Sequence, residues 1–136
     1  MYTSVGDQRG EARIMTLIAE LAADAGDDAG AREMLYDALT IRCGLNDAPG
    51  ICAALERFAR AAADTDADRA TRILAAASAL RERTGARLSM ASQAEVDELL
   101  AQLQSTLDSE FVRVWQQGNV ASVNDALRDA AAVVGR

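Results

Sequence analysis

The sequence predicts an all-α fold built from antiparallel helical hairpins, and three observations support this prediction. Alanine, the best intrinsic helix former, is the commonest residue, and only 4% of the residues are aromatic. Apolar residues recur three and four positions apart over most of the chain, which is the spacing of one helix face. Much of the sequence also repeats after about 40 positions, a self-similarity typical of helical repeat arrays. We expect a right-handed stack of about seven helices.

Two copies of one hairpin are predicted in the first part of a single domain spanning 1–136. Repeat 1 covers about 6–44, repeat 2 about 46–85, and a C-terminal cap about 89–135. The equivalences rest mostly on small residues that recur at matching positions, with a one-residue shift in the turn. Asp7, Gly10, Ala19, Ala22, Ala23 and Asp24 recur as Asp47, Gly50, Ala59, Ala62, Ala63 and Asp64, and Asp27, Ala31, Leu35, Ala38 and Arg42 as Asp66, Ala70, Leu74, Ala77 and Arg81.

Glycine, proline and aspartate mark the ends of the first four helices. Gly26 is placed to end the first helix, and an aspartate in the same turn to cap the second. Pro49 suits the first turn of the third helix, where its missing N–H has no cost. The fourth helix should stop near Gly85.

The C-terminal part has a different pattern, as expected for a cap that covers the last apolar face of an array. We expect one helix to begin at Ser92. A second, short helix should begin at 108–110 and end at Gly118. Ser122 and Asp125 have the spacing of a capping box for the last helix.

Composition and charge exclude several classes of function. All fourteen basic residues are arginine, and the net charge of −7 disfavours binding to nucleic acid. The chain has no histidine and no lysine, so His-dependent catalytic and metal sites and a phosphate-binding Gly-Lys loop are excluded. No signal peptide or membrane span is predicted, which favours the cytoplasm. We expect no enzyme activity, cofactor or metal, and we interpret Cys43 and Cys52 as small buried hydrophobic residues.

Two stretches resemble known families. The spacing Gly26-x4-Ala31-x3-Leu35-x2-Ala38 resembles the second-helix signature of tetratricopeptide repeats, in which small residues let two helices approach. The tail pattern of residues 111–127 resembles the C-terminal end of actinobacterial LuxR-type and cyclase-like ATPase regulators; it reads Phe111-x3-Trp115-x2-Gly118-x3-Ser122-x3-Ala126-Leu127.

The resemblance implies a tetratricopeptide-like repeat region of a bacterial transcriptional regulator, which receives a signal through a protein partner, the regulator's other domains or a small effector. Residues 1–7 resemble the last turn of a preceding repeat, so we expect either an excised C-terminal segment or a short relic that kept only this end of such a regulator. The first helix would then lack its upstream neighbour. We expect self-association through its apolar face, formed by Ile14, Leu17, Ile18 and Leu21.

A binding groove is predicted along the first helices of the two hairpins. Its expected residues are Arg13, Thr16, Glu20, Glu56 and Arg60. Arginines in this region suit an anionic ligand, but interspersed carboxylates also fit a surface of solvated ion pairs.

The aromatic residues Phe111 and Trp115 lie four positions apart and therefore share a helix face. They fit either the packing of the cap or a stacking site for a small effector between the repeats and Trp115. Quenching of Trp115 by a metabolite separates the two interpretations.

The acidic turn 64–68 imitates the start of a calcium loop. Arg69 stands where that loop needs glycine and Ala75 where it needs glutamate, so helix capping is the better interpretation of these aspartates.

Overall fold

The computed structural model describes residues 5–136, and these residues are all-α, with no strand among them. The prediction of an all-α fold is confirmed. Residues 1–4, on which part of the expected remnant of a preceding repeat falls, lie outside the described residues. The helices are α1 (Val5–Asp24), α2 (Asp28–Gly44), α3 (Ala48–Ala62), α4 (Ala67–Thr84), α5 (Met90–Leu107), α6 (Phe111–Asn119) and α7 (Val123–Val133), and a 3-10 turn (Asp108–Glu110) joins α5 to α6.

The ends of the first four helices follow the predicted signals. Gly26 has a φ of +88°, which lets the chain turn after α1, and the Asp27 carboxylate accepts the backbone N–H of Gly30 at the start of α2. Pro49 lies in the first turn of α3. Gly85 ends α4 in the left-handed conformation. The turns between these helices are therefore dictated by single residues.

Some of the small residues that recur in the two hairpins are buried in both, whereas Ala22 and Ala23 are less buried than their counterparts Ala62 and Ala63. Ala19 and Ala59 are both buried, and so are Ala38 and Ala77. Because an alanine side chain is a single methyl group, α1 packs closely on α2 and α3 on α4.

Helix α4 is the centre of the molecule, since it packs against α3, α6 and α7 and more lightly against α5. Its buried residues are Ala70, Thr71, Ile73, Leu74, Ala75, Ala76, Ala77 and Ala79. The largest fully buried side chain, Phe58, comes from α3 and joins the same core.

Two predicted boundaries in the C-terminal part are shifted in the structure: α5 begins at Met90 instead of Ser92, and α6 ends at Asn119 instead of Gly118. The cap of α5 is Ser89, whose hydroxyl accepts the backbone N–H of Ser92, so the helix begins earlier than Ser92. Gly118 is buried in the last turn of α6, one residue before the helix ends. A Cβ at Gly118 would overlap the backbone of Arg72, so glycine is needed here for the close approach of α6 to α4. The predicted capping box of Ser122 and Asp125 is confirmed.

The C-terminus returns to the first hairpin. Helix α7 contacts α2 and α3 as well as α4. The guanidinium of Arg136 lies 5.0 Å from the ring centre of Tyr36 and donates to Asp37 at 2.8 Å. The two hairpins are therefore closed by C-terminal helices that reach across them. No helix within residues 5–136 is long and apolar enough to cross a membrane.

Candidate functional site

A concave groove of about 440 Å³ lies on the face of the molecule formed by α1, α3 and α5. Side chains from α2 and α4 also reach it. The apolar residues that line it are Ala19, Ala23, Ala31, Leu35, Ala53, Ala61, Val96 and Leu99, and the polar ones are Thr16, Glu20, Glu56, Arg57, Arg60, Arg81, Ser92 and Glu95. The groove thus combines an apolar lining with several charged groups.

Four of the five residues predicted for the binding groove line this cavity, namely Thr16, Glu20, Glu56 and Arg60. The fifth, Arg13, lines a neighbouring cavity of about 220 Å³ that also contains Thr16, Leu17 and Arg57.

Sequence reasoning missed the wall that α5 contributes to the groove. Glu95, Val96 and Leu99 line it. The apolar stripe of α5 was visible in the sequence, but no local signal indicates which helices it crosses.

The outer part of the groove carries two exposed ion pairs. Arg57 lies 2.9 Å from Glu20 and joins α3 to α1, and Arg60 lies 3.4 Å from Glu95 and joins α3 to α5. All four side chains are more than half exposed, so each pair contributes about 0–1 kcal/mol to folding. These residues match the alternative interpretation of solvated ion pairs, and they leave the groove close to neutral.

A third ion pair, Glu56 with Arg81, is much more buried. Nε of Arg81 donates to one carboxylate oxygen of Glu56 at 2.7 Å, and Nη2 donates to the other at 2.8 Å. The hydrogen bond to Glu56 raises the pKa of Arg81 above its usual value, against the opposing effect of burial. This geometry is the strong, bidentate form of an arginine–carboxylate contact.

A second cavity, of about 520 Å³, lies between α4, α5 and α6, next to the loop 85–89. We call it the Trp115 cavity, because the indole of Trp115 lines it. The remaining lining residues are Glu56, Leu74, Ser78, Arg81, Glu82, Gly85, Ala86, Arg87, Leu88, Gln93, Val96 and Leu100. Glu56, Arg81 and Val96 line this cavity and the groove alike.

Phe111 and Trp115 both pack against the core. Their rings are stacked, with centres 5.7 Å apart and an angle of 27° between the planes. Both side chains are partly buried, and Trp115 but not Phe111 lines the cavity. Phe111 therefore supports Trp115 from within the cap, and Trp115 alone presents a ring to the cavity.

Helix α1 carries an exposed apolar stripe formed by Ile14, Leu17, Ile18 and Leu21. These side chains are 58%, 54%, 44% and 68% exposed. They lie on the opposite side of α1 from the buried residues Ala12 and Ala19. Scattered exposed apolar residues are common on proteins, whereas a continuous apolar stripe of this kind is unusual on the surface of a monomer.

The two cysteines are not poised as nucleophiles. Burial raises the pKa of Cys43 to about 11, and burial is also the largest cause of the raised pKa of Cys52. Both thiols are therefore protonated at neutral pH, whereas the thiolate is the reactive form. Within residues 5–136, no group of three or more Cys, Asp or Glu side chains is arranged to hold a metal ion.

The chain matches no protein-family model, no curated protein and no solved structure. The surface features that could serve a function are thus the stripe on α1, the groove with its small neighbouring cavity, and the Trp115 cavity.

Proposed function

We propose that the chain is a non-catalytic protein-interaction module that docks a partner helix on the exposed apolar stripe of α1. The observation that carries this proposal is the stripe itself, with Ile14, Leu17, Ile18 and Leu21 at positions i, i+3, i+4 and i+7 of one helix. Burying apolar side chains of this size stabilises an interface by about 1.5–3 kcal/mol each when burial is complete. The geometry fits a second amphipathic helix lying along α1.

The occupant that we infer is α1 of a second copy of this chain. Ile14, Leu17 and Leu21 have the spacing of a coiled-coil seam, so two copies of α1 present matching apolar surfaces. Arg13 and Glu20 lie on one flank of the stripe with opposite charges. In an antiparallel pair, Arg13 of one copy faces Glu20 of the second, and the exposed contact of Glu20 with Arg57 becomes part of a larger network.

The stripe continues into the cavities on the adjacent face. Leu17 belongs to the stripe and also lines the small cavity with Arg13 and Thr16. A partner on α1 therefore has the groove beside it, where Thr16, Glu20, Glu56 and Arg60 supply further contacts. This arrangement accords with the role implied by the resemblance of residues 111–127, that of a tetratricopeptide-like repeat module which receives a signal for a transcriptional regulator.

A pair of matched variants tests the proposal by multi-angle light scattering during size-exclusion chromatography. Leu17→Asp places a charge in the stripe, whereas Met90→Asp places one on an exposed apolar residue outside it; the two side chains are 54% and 92% exposed. We expect the unaltered chain and the Met90→Asp variant to elute above the monomer mass and Leu17→Asp to elute as a monomer. Circular dichroism checks that both variants keep their helix content. Equal masses for Leu17→Asp and the unaltered chain would overturn the proposal.

A further inference from the structure

We propose that the Trp115 cavity binds an elongated organic carboxylate, with the carboxylate at Arg81 and the apolar body against Trp115. The site is separate from the stripe on α1 and goes beyond the interaction role. Its volume of about 520 Å³ lies within the range of small-molecule sites, which is roughly 300–1,000 Å³.

The cavity changes from apolar to polar along its length. On α4, Leu74 and Arg81 both line it, and seven residues of helix separate them by about 10 Å. On α5, Leu100 and Gln93 are also seven residues apart. Because a short loop joins α4 to α5, Leu100 lies toward the Leu74 end and Gln93 toward the loop. A ligand that fits is therefore about 10 Å long and polar at one end only.

At the polar end, Arg81 has N–H groups that do not donate to Glu56. A guanidinium carries five N–H groups, and Glu56 accepts one from Nε and one from Nη2 of Arg81. Within the described part of the chain, Nη1 of Arg81 makes no hydrogen bond. Both oxygens of Glu56, by contrast, already accept from Arg81. An end of the cavity with free donors selects an acceptor-rich group, and a carboxylate matches the planar fork of arginine.

The other charged groups of the cavity are Glu82 and Arg87. Both are exposed, and neither forms an ion pair among residues 5–136. Arg87 follows Gly85, in the short segment that joins α4 to α5, so it borders the polar end. The lining contains two carboxylates, Glu56 and Glu82, and two arginines, Arg81 and Arg87. Its formal charges therefore cancel, so an entering anion meets no net negative charge.

Trp115 is the single tryptophan of the chain, so its fluorescence reports on this cavity. The probe is octanoate, titrated into the full chain, with octanol and octylamine as controls that keep the apolar body and change the head group. We expect saturable quenching or a spectral shift with octanoate, at concentrations at least about tenfold below those needed for either control. No saturable change, or octanol binding as tightly as octanoate, would overturn the proposal.

Two arginine variants separate a specific site from general apolar binding. Arg87→Gln removes an unpaired charge at the cavity, and Arg83→Gln removes an exposed charge of α4 that does not line it. We expect Arg87→Gln to weaken octanoate binding about tenfold and Arg83→Gln to leave it unchanged. Equal affinities in both variants would overturn the placement of the carboxylate at the polar end of the cavity, which Arg81 and Arg87 both line. The Leu17→Asp variant should bind octanoate normally, so failure of the stripe proposal and failure of this one are distinguishable.

Discussion

Glu56 of α3 and Arg81 of α4 form a bidentate ion pair at 2.7 and 2.8 Å, and this pair is a shared wall of the groove and the Trp115 cavity. The two side chains are only 11% and 12% exposed. A ligand or partner in either cavity therefore lies next to the same two side chains. The pair also lies next to the buried Cys52, whose thiol contacts the carbonyl of Ala77 in α4 at 3.7 Å.

The Glu56–Arg81 pair predicts a large difference between single and double variants. Arg81→Met leaves the Glu56 carboxylate buried without its partner, and we expect it to lower the free energy of unfolding by about 2–4 kcal/mol. Adding Glu56→Gln removes the unpaired charge and should recover a substantial part of that loss. Urea unfolding followed by circular dichroism measures both. A double variant no more stable than Arg81→Met would contradict this account of the pair.

Gly118 is predicted to be required for the packing of α6 on α4. In Gly118→Ala the added methyl group meets the backbone of Arg72, which cannot move as a flexible side chain does. We expect a loss of about 1–3 kcal/mol in the free energy of unfolding, typical of overpacking. Gly10→Ala is the matched control, because a Cβ there has no neighbour within 4 Å. That control should be neutral or stabilising by up to about 1 kcal/mol, as expected from helix propensity. Equal effects of the two substitutions would show that α6 does not approach the backbone of Arg72 closely enough to require glycine at position 118.

The cap of α4 predicts a loss of stability in acid. Burial raises the pKa of Asp66, but hydrogen bonds from the side chain and backbone of Arg69 outweigh it and hold the pKa below its ordinary value of 3.8. Since the folded pKa is depressed, Asp66 stabilises the fold above about pH 4, and this contribution disappears as the pH falls through the folded pKa. Asp66→Asn keeps a capping side chain but removes the titration. Thermal unfolding between pH 5 and pH 2 should show a shallower decline for Asp66→Asn, and an unchanged slope would count against the argument.

The helices of the first two hairpins could be predicted from the sequence because single residues define their ends. Gly26, Pro49 and Gly85 act through their own backbone preferences, which depend little on the rest of the fold. The exposed stripe of α1 could also be predicted, since it follows from the spacing of residues along one helix. Of the groove, the sequence predicted four residues on α1 and α3 but not the contribution of α5.

The misses concern contacts between residues far apart in the chain. Gly118 resembles a helix stop in sequence, and only its approach to Arg72 reveals its role. Glu56 and Arg81 are 25 positions apart, and no local pattern indicates that they pair. The contact of α7 with the first hairpin also depends on tertiary packing. There, the guanidinium of Arg136 lies over the ring of Tyr36 and donates a hydrogen bond to Asp37.

Sedimentation equilibrium of the unaltered chain tests the proposed interaction role most directly. At physiological ionic strength, the apparent mass should rise from the 14.4 kDa of one chain toward twice that value as the concentration increases into the high micromolar range. This result is expected if the stripe of Ile14, Leu17, Ile18 and Leu21 binds a second copy. A mass that stays at 14.4 kDa over the whole range would contradict the claim that the stripe is an interface between two copies.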